Sequence, residues 1–344
     1  FSMKSNSNLA VIRALVKNGA GLDIVSGGEL YRARIAGVNP KKIVYAGVGK
    51  RHDEIYEAIN FGILFFNVES EDELDEIQRV ASTLKKKVNI AIRINPDVVP
   101  KTHKYIVTGK GETKFGMDFD TVHKIFNSSW KYPNLNIRGV HIHIGSQILN
   151  AQPFEKAIEK TLSFIKERKI PVDYLNIGGG LGISYSVENP QTAKAFAKKV
   201  LPLLKASKLK IILEPGRFIS GNSGVLVTRV IYTKRTPRKK FIIVDSGMSD
   251  LIRPSLYEAY HKIVPVRVGE DTSSSSERVD VVGPICESGD FLGKDRLLPL
   301  MHKGELLAVM GAGAYGFTMS SNYNSRPRAS EVMVIGNKFY VTRR

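Results

Sequence analysis

Short apolar runs and amphipathic stretches alternate along the first 218 residues. The runs at 1–3, 22–25, 43–46, 64–68, 88–94, 137–144, 174–177 and 210–213 are continuously apolar or nearly so, as strands buried on both faces of a parallel sheet require. Helical patterns lie between them at 9–17, 29–36, 54–61, 71–84, 121–130, 154–168 and 192–206, with apolar residues at spacings of three and four, as in Leu74, Ile77, Val80, Ala81 and Leu84. Eight β/α units in so short a length predict an α/β fold built as a (β/α)8 TIM-type barrel over residues 1–218. Beyond it the texture changes. Residues 221–232, 241–245, 264–268, 278–282, 306–310 and 331–341 read as strands with turns and few helices between, which predicts a β-rich C-terminal domain over 219–344.

Length and charge narrow the class. The 344 residues suffice for a barrel of roughly 200 to 250 residues and a smaller second unit. The single cysteine, Cys286, excludes an intrachain disulfide framework. The lone cysteine fits a reducing compartment, so the cytoplasm is expected, and no apolar run approaches the roughly 18 residues that span a bilayer, so a soluble protein without a membrane partner is expected. The formal charge of +18 is spread along the chain, and its densest runs, at 85–87 and 234–240, lack interleaved aromatics. Solvated faces account for them, and no nucleic-acid partner is expected. The chain opens without Met on strand-like residues and stops just after another such run, so it reads as a fragment.

In a parallel barrel the C-terminal strand ends open on one face, where function gathers. The polar residues at those ends are Lys4, Asp23, Ser26, Arg93, Asn95, His143 and Ser146, followed by Gly178-Gly179-Gly180 and Glu214-Pro215-Gly216-Arg217. A lysine before a helix is ordinarily a solvated charge; here it shares a rim with many ionisable groups. Three successive glycines remove side chains where backbone N–H groups approach an anion, and barrel phosphate sites commonly follow strands seven and eight. A tight turn is the competing explanation. A lysine, a phosphate loop and a strand-eight carboxylate together suggest pyridoxal 5'-phosphate, with Lys4 as covalent anchor and Glu214 facing the ring nitrogen.

His141-Ile142-His143 puts two imidazoles on one strand face, but a third metal ligand is lacking and no metal is expected. One ring is read as a flat partner for a cofactor, the other as packed core. Cys286, beside Glu287, is either buried filler or an acid-base group. Arg253 and Tyr257 offer a cation and a hydroxyl for a substrate carboxylate, with surface pairing as the alternative.

Taken in order, these motifs resemble the diaminopimelate decarboxylases, of the alanine-racemase-like fold type of pyridoxal phosphate enzymes. The resemblance rests on Met3-Lys4-Ser5-Asn6-Ser7-Asn8, Val25-Ser26-Gly27-Gly28-Glu29-Leu30, Arg93-Ile94-Asn95-Pro96-Asp97, Lys114-Phe115-Gly116 and His143-Ile144-Gly145-Ser146-Gln147. It continues in Asn176-Ile177-Gly178-Gly179-Gly180, Glu214-Pro215-Gly216-Arg217, the 251–257 segment, Cys286-Glu287-Ser288-Gly289-Asp290 and Gly313-Ala314-Tyr315. It implies that Lys4 carries the cofactor, His143 stacks on its ring and Glu214 holds its nitrogen. Ser146, Gly178, Gly179, Gly180, Arg217 and Tyr315 would surround the phosphate, and Asp23, Arg93 and Gly216 would complete the cofactor site. Arg217, Arg253 and Tyr257 would bind the distal carboxylate of meso-diaminopimelate, near Tyr315, and Glu287 its distal amino group. Cys286 would donate the proton, reaching with Glu287 into a partner's site in a head-to-tail homodimer with shared active sites. The products would be L-lysine and CO2.

Two alternatives remain at this point: a related decarboxylase of another basic or dicarboxylic amino acid, and a pyridoxal-phosphate-binding homologue without turnover. The segment around Lys4 departs from the family's usual Tyr-Ala-x-Lys-Ala-Asn, since Phe1 and Ser2 replace the aromatic-small pair and Ser5 the alanine.

Overall fold

A computed structural model describes residues 1–98, 114–267 and 276–344. Position 268 of the expected strand at 264–268 lies outside the described residues, as do 271–275 of the polar loop that the Asp, Thr, Ser and Glu residues at 271–277 predict.

The chain divides into two compact units, one of residues 1–182 and 190–216, the other of residues 183–189 and 217–344. In the first, β1 (Leu22–Ile24), β2 (Ile43–Tyr45), β3 (Phe65–Val68), β4 (Val88–Arg93), β5 (Leu135–His141), β6 (Tyr174–Asn176) and β7 (Lys210–Ile212) form one parallel sheet in sequence order. The amino-terminal residues occupy the eighth place. Asp23 N–H donates to the Phe1 carbonyl at 2.8 Å, and Ser2 N–H donates to the Pro215 carbonyl at 3.1 Å, so the segment joins both edges of the sheet and closes it. The expected strand at 1–3 is shorter than read: only a bridge at Ser2 pairs with β1, and Met3–Ser5 turns as a 3-10 helix because the Ser5 amide reaches back to the Ser2 carbonyl.

Helices α1 (Leu9–Lys17), α2 (Gly27–Ala36), α3 (His52–Phe61), α4 (Glu71–Thr83), α5 (Phe119–Asn127), α6 (Gln152–Glu167) and α7 (Ala193–Ser207) cover the sheet. Their starts follow the capping residues. Asn8, Ser26, Ser70, Asp118 and Thr192 each accept a backbone N–H of the first turn. Glycines in the left-handed conformation, Gly37 and Gly62, end α2 and α3. Ile12, Leu30, Ile55, Leu74, Ile77, Val122, Ile158 and Val200 seal one apolar core with the outward strand residues.

The inward residues show a two-residue step. Val44, Phe65 and Ala91 form a separate small cluster with Tyr174 and Ile212 inside the sheet. Two residues further along the same strands come Asn67, Arg93, Asn176 and Glu214. Because side chains alternate along a strand, these project to the same side as the apolar floor and make a polar layer above it.

The second unit carries a six-stranded sheet in the order β10 (Ile263–Pro265), β13 (Leu306–Val309), β8 (Leu226–Arg235), β9 (Lys240–Val244), β11 (Glu277–Val282) and β12 (Phe291–Leu298). It is antiparallel except for the β9–β11 pair. Two short helices, α8 (Arg217–Ser220) and α9 (Arg253–Tyr257), precede β8 and β10. Three expectations need correction here. The strand read at 221–232 begins only at Leu226, because Gly221–Ser223 is a 3-10 turn. Strand β12 has no counterpart in the sequence reading, since Lys294, Asp295 and Arg296 interrupt its apolar pattern. The run at 331–341 is a hairpin, β14 (Glu331–Ile335) and β15 (Lys338–Arg343), turning at Gly336 and Asn337 with Gly336 at φ 60°.

Candidate active site

Within the first unit the polar layer holds a connected set of charged groups. Asp23, 1% exposed, accepts from Ser2 Oγ at 2.6 Å and pairs with Lys4 Nζ at 3.3 Å through the same oxygen. Its other oxygen, Oδ1, is buried without a hydrogen-bond partner. Burial and the nearby Glu214 charge raise the Asp23 carboxyl above its ordinary range, against the pull of Lys4 and Ser2. Lys4 is therefore held by a buried acid at the rim, which a solvated surface lysine would not be.

Glu214 is 4% exposed and oriented from two sides. Asn67 at the end of β3 and Asn176 at the end of β6 both donate to Oε1, at 3.1 and 2.5 Å. His141 Nε2 stands 3.4 Å from Oε2. Burial works to neutralise this carboxyl, but His141, Lys4 and the Asn176 amide outweigh it and hold Glu214 ionised far below its usual range. His141, read as packed core, is buried as expected and also touches the charge. Neither asparagine was assigned a role from sequence. The available signal was a polar residue interrupting the apolar runs Phe65-Phe66-Asn67-Val68 and Tyr174-Leu175-Asn176.

His143 lies one strand step further out. Gly179 N–H donates to its Nδ1 at 3.1 Å, so that nitrogen is an acceptor. Burial, with Lys4 and Arg93 nearby, pushes its pKa well below the ordinary value and keeps the ring neutral. A neutral, flat imidazole suits stacking better than proton storage. All three glycines after β6 are required by packing: a Cβ would meet the Ile142 carbonyl at 2.4 Å from Gly178, the Glu214 carbonyl at 2.3 Å from Gly179 and the Gly145 carbonyl at 2.4 Å from Gly180. Gly178 and Gly180 also have φ of 68° and 107°. These are the demands of a tight, closely packed turn; the same absence of side chains leaves bare backbone at the rim, with Ser146 half-buried in the loop that follows His143.

Arg93 is tied down by a residue the sequence reading omitted. Its Nη1 donates to Glu69 Oε1 at 2.6 Å, and Gly116 N–H donates to Glu69 Oε2 at 2.9 Å. The Phe115 ring lies 4.8 Å from the Arg93 guanidinium carbon. The Lys114-Phe115-Gly116 motif therefore wraps a buried ion pair. Gly216 leaves room for the closing segment, since a Cβ there would meet Ser5 Oγ at 3.0 Å and Ser2 Cβ at 3.1 Å.

The remaining candidates belong to the second unit. Arg217 donates to the Tyr185 hydroxyl at 2.5 Å and lies 4.7 Å above the Tyr315 ring. Arg253 is 6% exposed, so surface pairing does not describe it; Tyr257, four residues on, is half-buried. Cys286 is exposed, which rules out buried filler. Its N–H donates to Asn324 Oδ1, and adjacent Glu287 accepts from the Tyr323 hydroxyl. Asp290 shapes this loop by accepting from Met248 and Ile285 N–H, both at 2.6 Å. Among the described residues no cluster of three or more His, Cys, Asp or Glu could hold a metal ion, and no helix is long and apolar enough to cross a membrane.

A lysine paired with a buried acid, a fixed anion one strand away, a neutral imidazole and a backbone cradle fit pyridoxal phosphate. The pattern of the pyridoxal-dependent decarboxylase family, pyridoxal binding domain, matches residues 1–221. The chain is 51% identical over 338 residues to the diaminopimelate decarboxylase of Aquifex aeolicus, covering 97% of this chain and 80% of that protein. It is 47% identical to that of Vibrio cholerae, over 100% of this chain and 82% of the other. The crystal structure of diaminopimelate decarboxylase from Helicobacter pylori complexed with L-lysine matches with a TM-score of 0.94 at 41% identity, covering 100% of this chain and 86% of that one. The (β/α)8 barrel with a separate β-rich unit, the lysine rim and the full-length likeness agree, and the chain belongs to the diaminopimelate decarboxylase family of pyridoxal-dependent decarboxylases.

Proposed function

We propose that this chain removes CO2 from the D centre of meso-2,6-diaminopimelate to give L-lysine, with Lys4 as covalent anchor of pyridoxal phosphate. Membership of the family makes it a pyridoxal-phosphate-dependent carboxy-lyase. The observation that carries the assignment of roles is the Lys4–Asp23 pair in the same polar layer as the clamped Glu214. The cofactor supplies an electron-withdrawing ring that accepts the electron pair left when CO2 departs.

The chain's own residues set the conditions for that. Glu214 presents a fixed negative charge to the ring nitrogen and keeps it protonated. His143, neutral and held by Gly179, offers a flat face to the ring. Gly178, Gly179, Gly180, Ser146, Arg217 and Tyr315 take the phosphate; Asp23, Arg93 and Gly216 complete the cofactor site around Lys4 and His143. Arg217, Arg253, Tyr257 and Tyr315 bind the distal carboxylate, and Glu287 the distal ammonium. Cys286 gives the proton to the substrate carbon, acting with Glu287 in the site of a second copy. The exposure of both residues on the single chain supports that sharing. The protein works in the cytoplasm as a head-to-tail homodimer, away from nucleic acid.

The test is to load the purified chain with pyridoxal phosphate, reduce with borohydride, map the modified peptide and follow lysine and CO2. A label on Lys4 and lysine from meso-diaminopimelate are expected. Lys4→Ala with unchanged visible absorbance would overturn the anchor, and faster turnover of ornithine would overturn the substrate.

A further inference from the structure

Behind Arg253 lies a histidine to which neither the cofactor nor the substrate assignment gives work. His261 has no exposed surface. Its Nε2 faces Arg253 Nη1 at 2.8 Å, and its Nδ1 faces the Met310 carbonyl oxygen at 2.8 Å. A guanidinium only donates and a carbonyl only accepts. Nε2 must therefore be the acceptor and Nδ1 must carry the proton. The ring is locked as one neutral tautomer between two partners that each tolerate no other.

Tyr185 completes the arrangement. Its ring meets His261 edge-on, with centroids 5.1 Å apart at 73°, and the Arg253 guanidinium carbon lies 4.6 Å from its centroid. Its hydroxyl accepts from Arg217. The two guanidiniums are thus fixed by an imidazole, a phenol and aromatic faces. Among the described residues Arg253 has no carboxylate partner, and its Nε makes no hydrogen bond. A Glu or Asp in the place of His261 could hold Arg253 equally well, but it would cancel the charge. Neutral acceptors orient a cation and leave its charge for an incoming anion.

We propose that His261, as the neutral Nδ1–H tautomer, and Tyr185 are positioning residues that aim Arg253 and Arg217 at the distal carboxylate of the substrate. This rests on the decarboxylase assignment, in which those arginines bind that carboxylate. The experiment compares L-lysine with 1,5-diaminopentane, which keeps both amines and lacks the carboxylate, by calorimetric binding to the cofactor-loaded chain. His261→Ala should weaken L-lysine and raise KM for diaminopimelate by about tenfold or more, as loss of a hydrogen bond to a charged group does. Cofactor loading, kcat and diaminopentane affinity should move less than about threefold. His261→Gln, which can accept and donate as the ring does, should restore most of the loss; His261→Glu should not, because it neutralises Arg253. Tyr185→Phe removes a single oxygen and should cost L-lysine about threefold or more; it decides the matter if His261→Ala does not fold. Equal weakening of both ligands, or a fall in kcat at unchanged KM, overturns the positioning role alone. A wild-type protein that binds both ligands equally overturns the substrate assignment, and the proposal with it.

Discussion

Replacing Glu214 by Gln isolates charge from shape. The amide oxygen can take the Oε1 position and keep both asparagine donors, Asn67 at 3.1 Å and Asn176 at 2.5 Å, so the strand ends stay in place. What is lost is one negative charge in a site only 4% exposed. At a hydrogen-bond separation of about 3 Å and an effective dielectric of about 20, that charge stabilises a protonated ring nitrogen by about 5 kcal/mol. The amide N–H in its place donates to an unprotonated nitrogen, which binds the cofactor in its weaker electron-accepting form. Allowing that only part of this energy is felt at the transition state, turnover should fall roughly a thousandfold. Cofactor affinity should change by less than about tenfold, because Lys4 and the glycine cradle remain. The assay is kcat from CO2 release beside a separate cofactor titration by absorbance. A kcat within tenfold of wild type, or equal losses in kcat and cofactor affinity, would refute the electrostatic argument and leave Glu214 a structural part.

Three further outcomes follow from other parts of the molecule. Glu69→Gln strands the buried Arg93 without its counter-charge and should cost about 3–5 kcal/mol in denaturant titration, whereas the double replacement Glu69→Leu with Arg93→Met should cost less. Gly179→Ala drives a Cβ to 2.3 Å from the Glu214 carbonyl, part of the backbone, and should abolish cofactor retention in an absorbance titration; retention at wild-type affinity would show that the loop can yield. His261 has its pKa pushed down to about 4 by burial, with Arg253, Arg217 and Arg296 adding to the effect against the Met310 carbonyl. The unfolded chain binds the proton first, so stability is unaffected above about pH 6.5 and declines by about 3 kcal/mol as pH falls to about 4. Melting curves across that window should show a smaller decline in His261→Gln.

The barrel was legible because parallel strands buried on both faces leave continuous apolar runs, and residues such as Ser26 and Thr192 mark where helices begin. Lys4, Asp23, His143 and Glu214 were legible because ionisable side chains at strand ends of such a sheet have few structural reasons to exist. What the sequence did not reveal are the residues that hold other residues. Asn67, Glu69, Tyr185 and His261 form no local pattern; each is informative only through a partner distant in sequence, as with Asn67 and Glu214 at 147 positions apart. Strand β12 escaped because its middle is charged and solvent-facing, so period and hydrophobicity disagree there. The hairpin at the carboxyl end was read as one strand because Gly336-Asn337 is only two residues long.

The amide of Asn67 touching Glu214 has a bearing on how the protein matures. β3 and β7 are four strands apart in sheet order, and in a flat sheet that separation is roughly 19 Å. A bond of 3.1 Å between their ends exists only once the sheet has curled fully round. Asn176, on the neighbouring strand β6, can reach the carboxylate before the sheet closes, but the second donor, Asn67, arrives only with the last closure. The complete two-sided clamp on Glu214 is in this sense tied to barrel closure, so any substitution that loosens the closing segment should also loosen the charge.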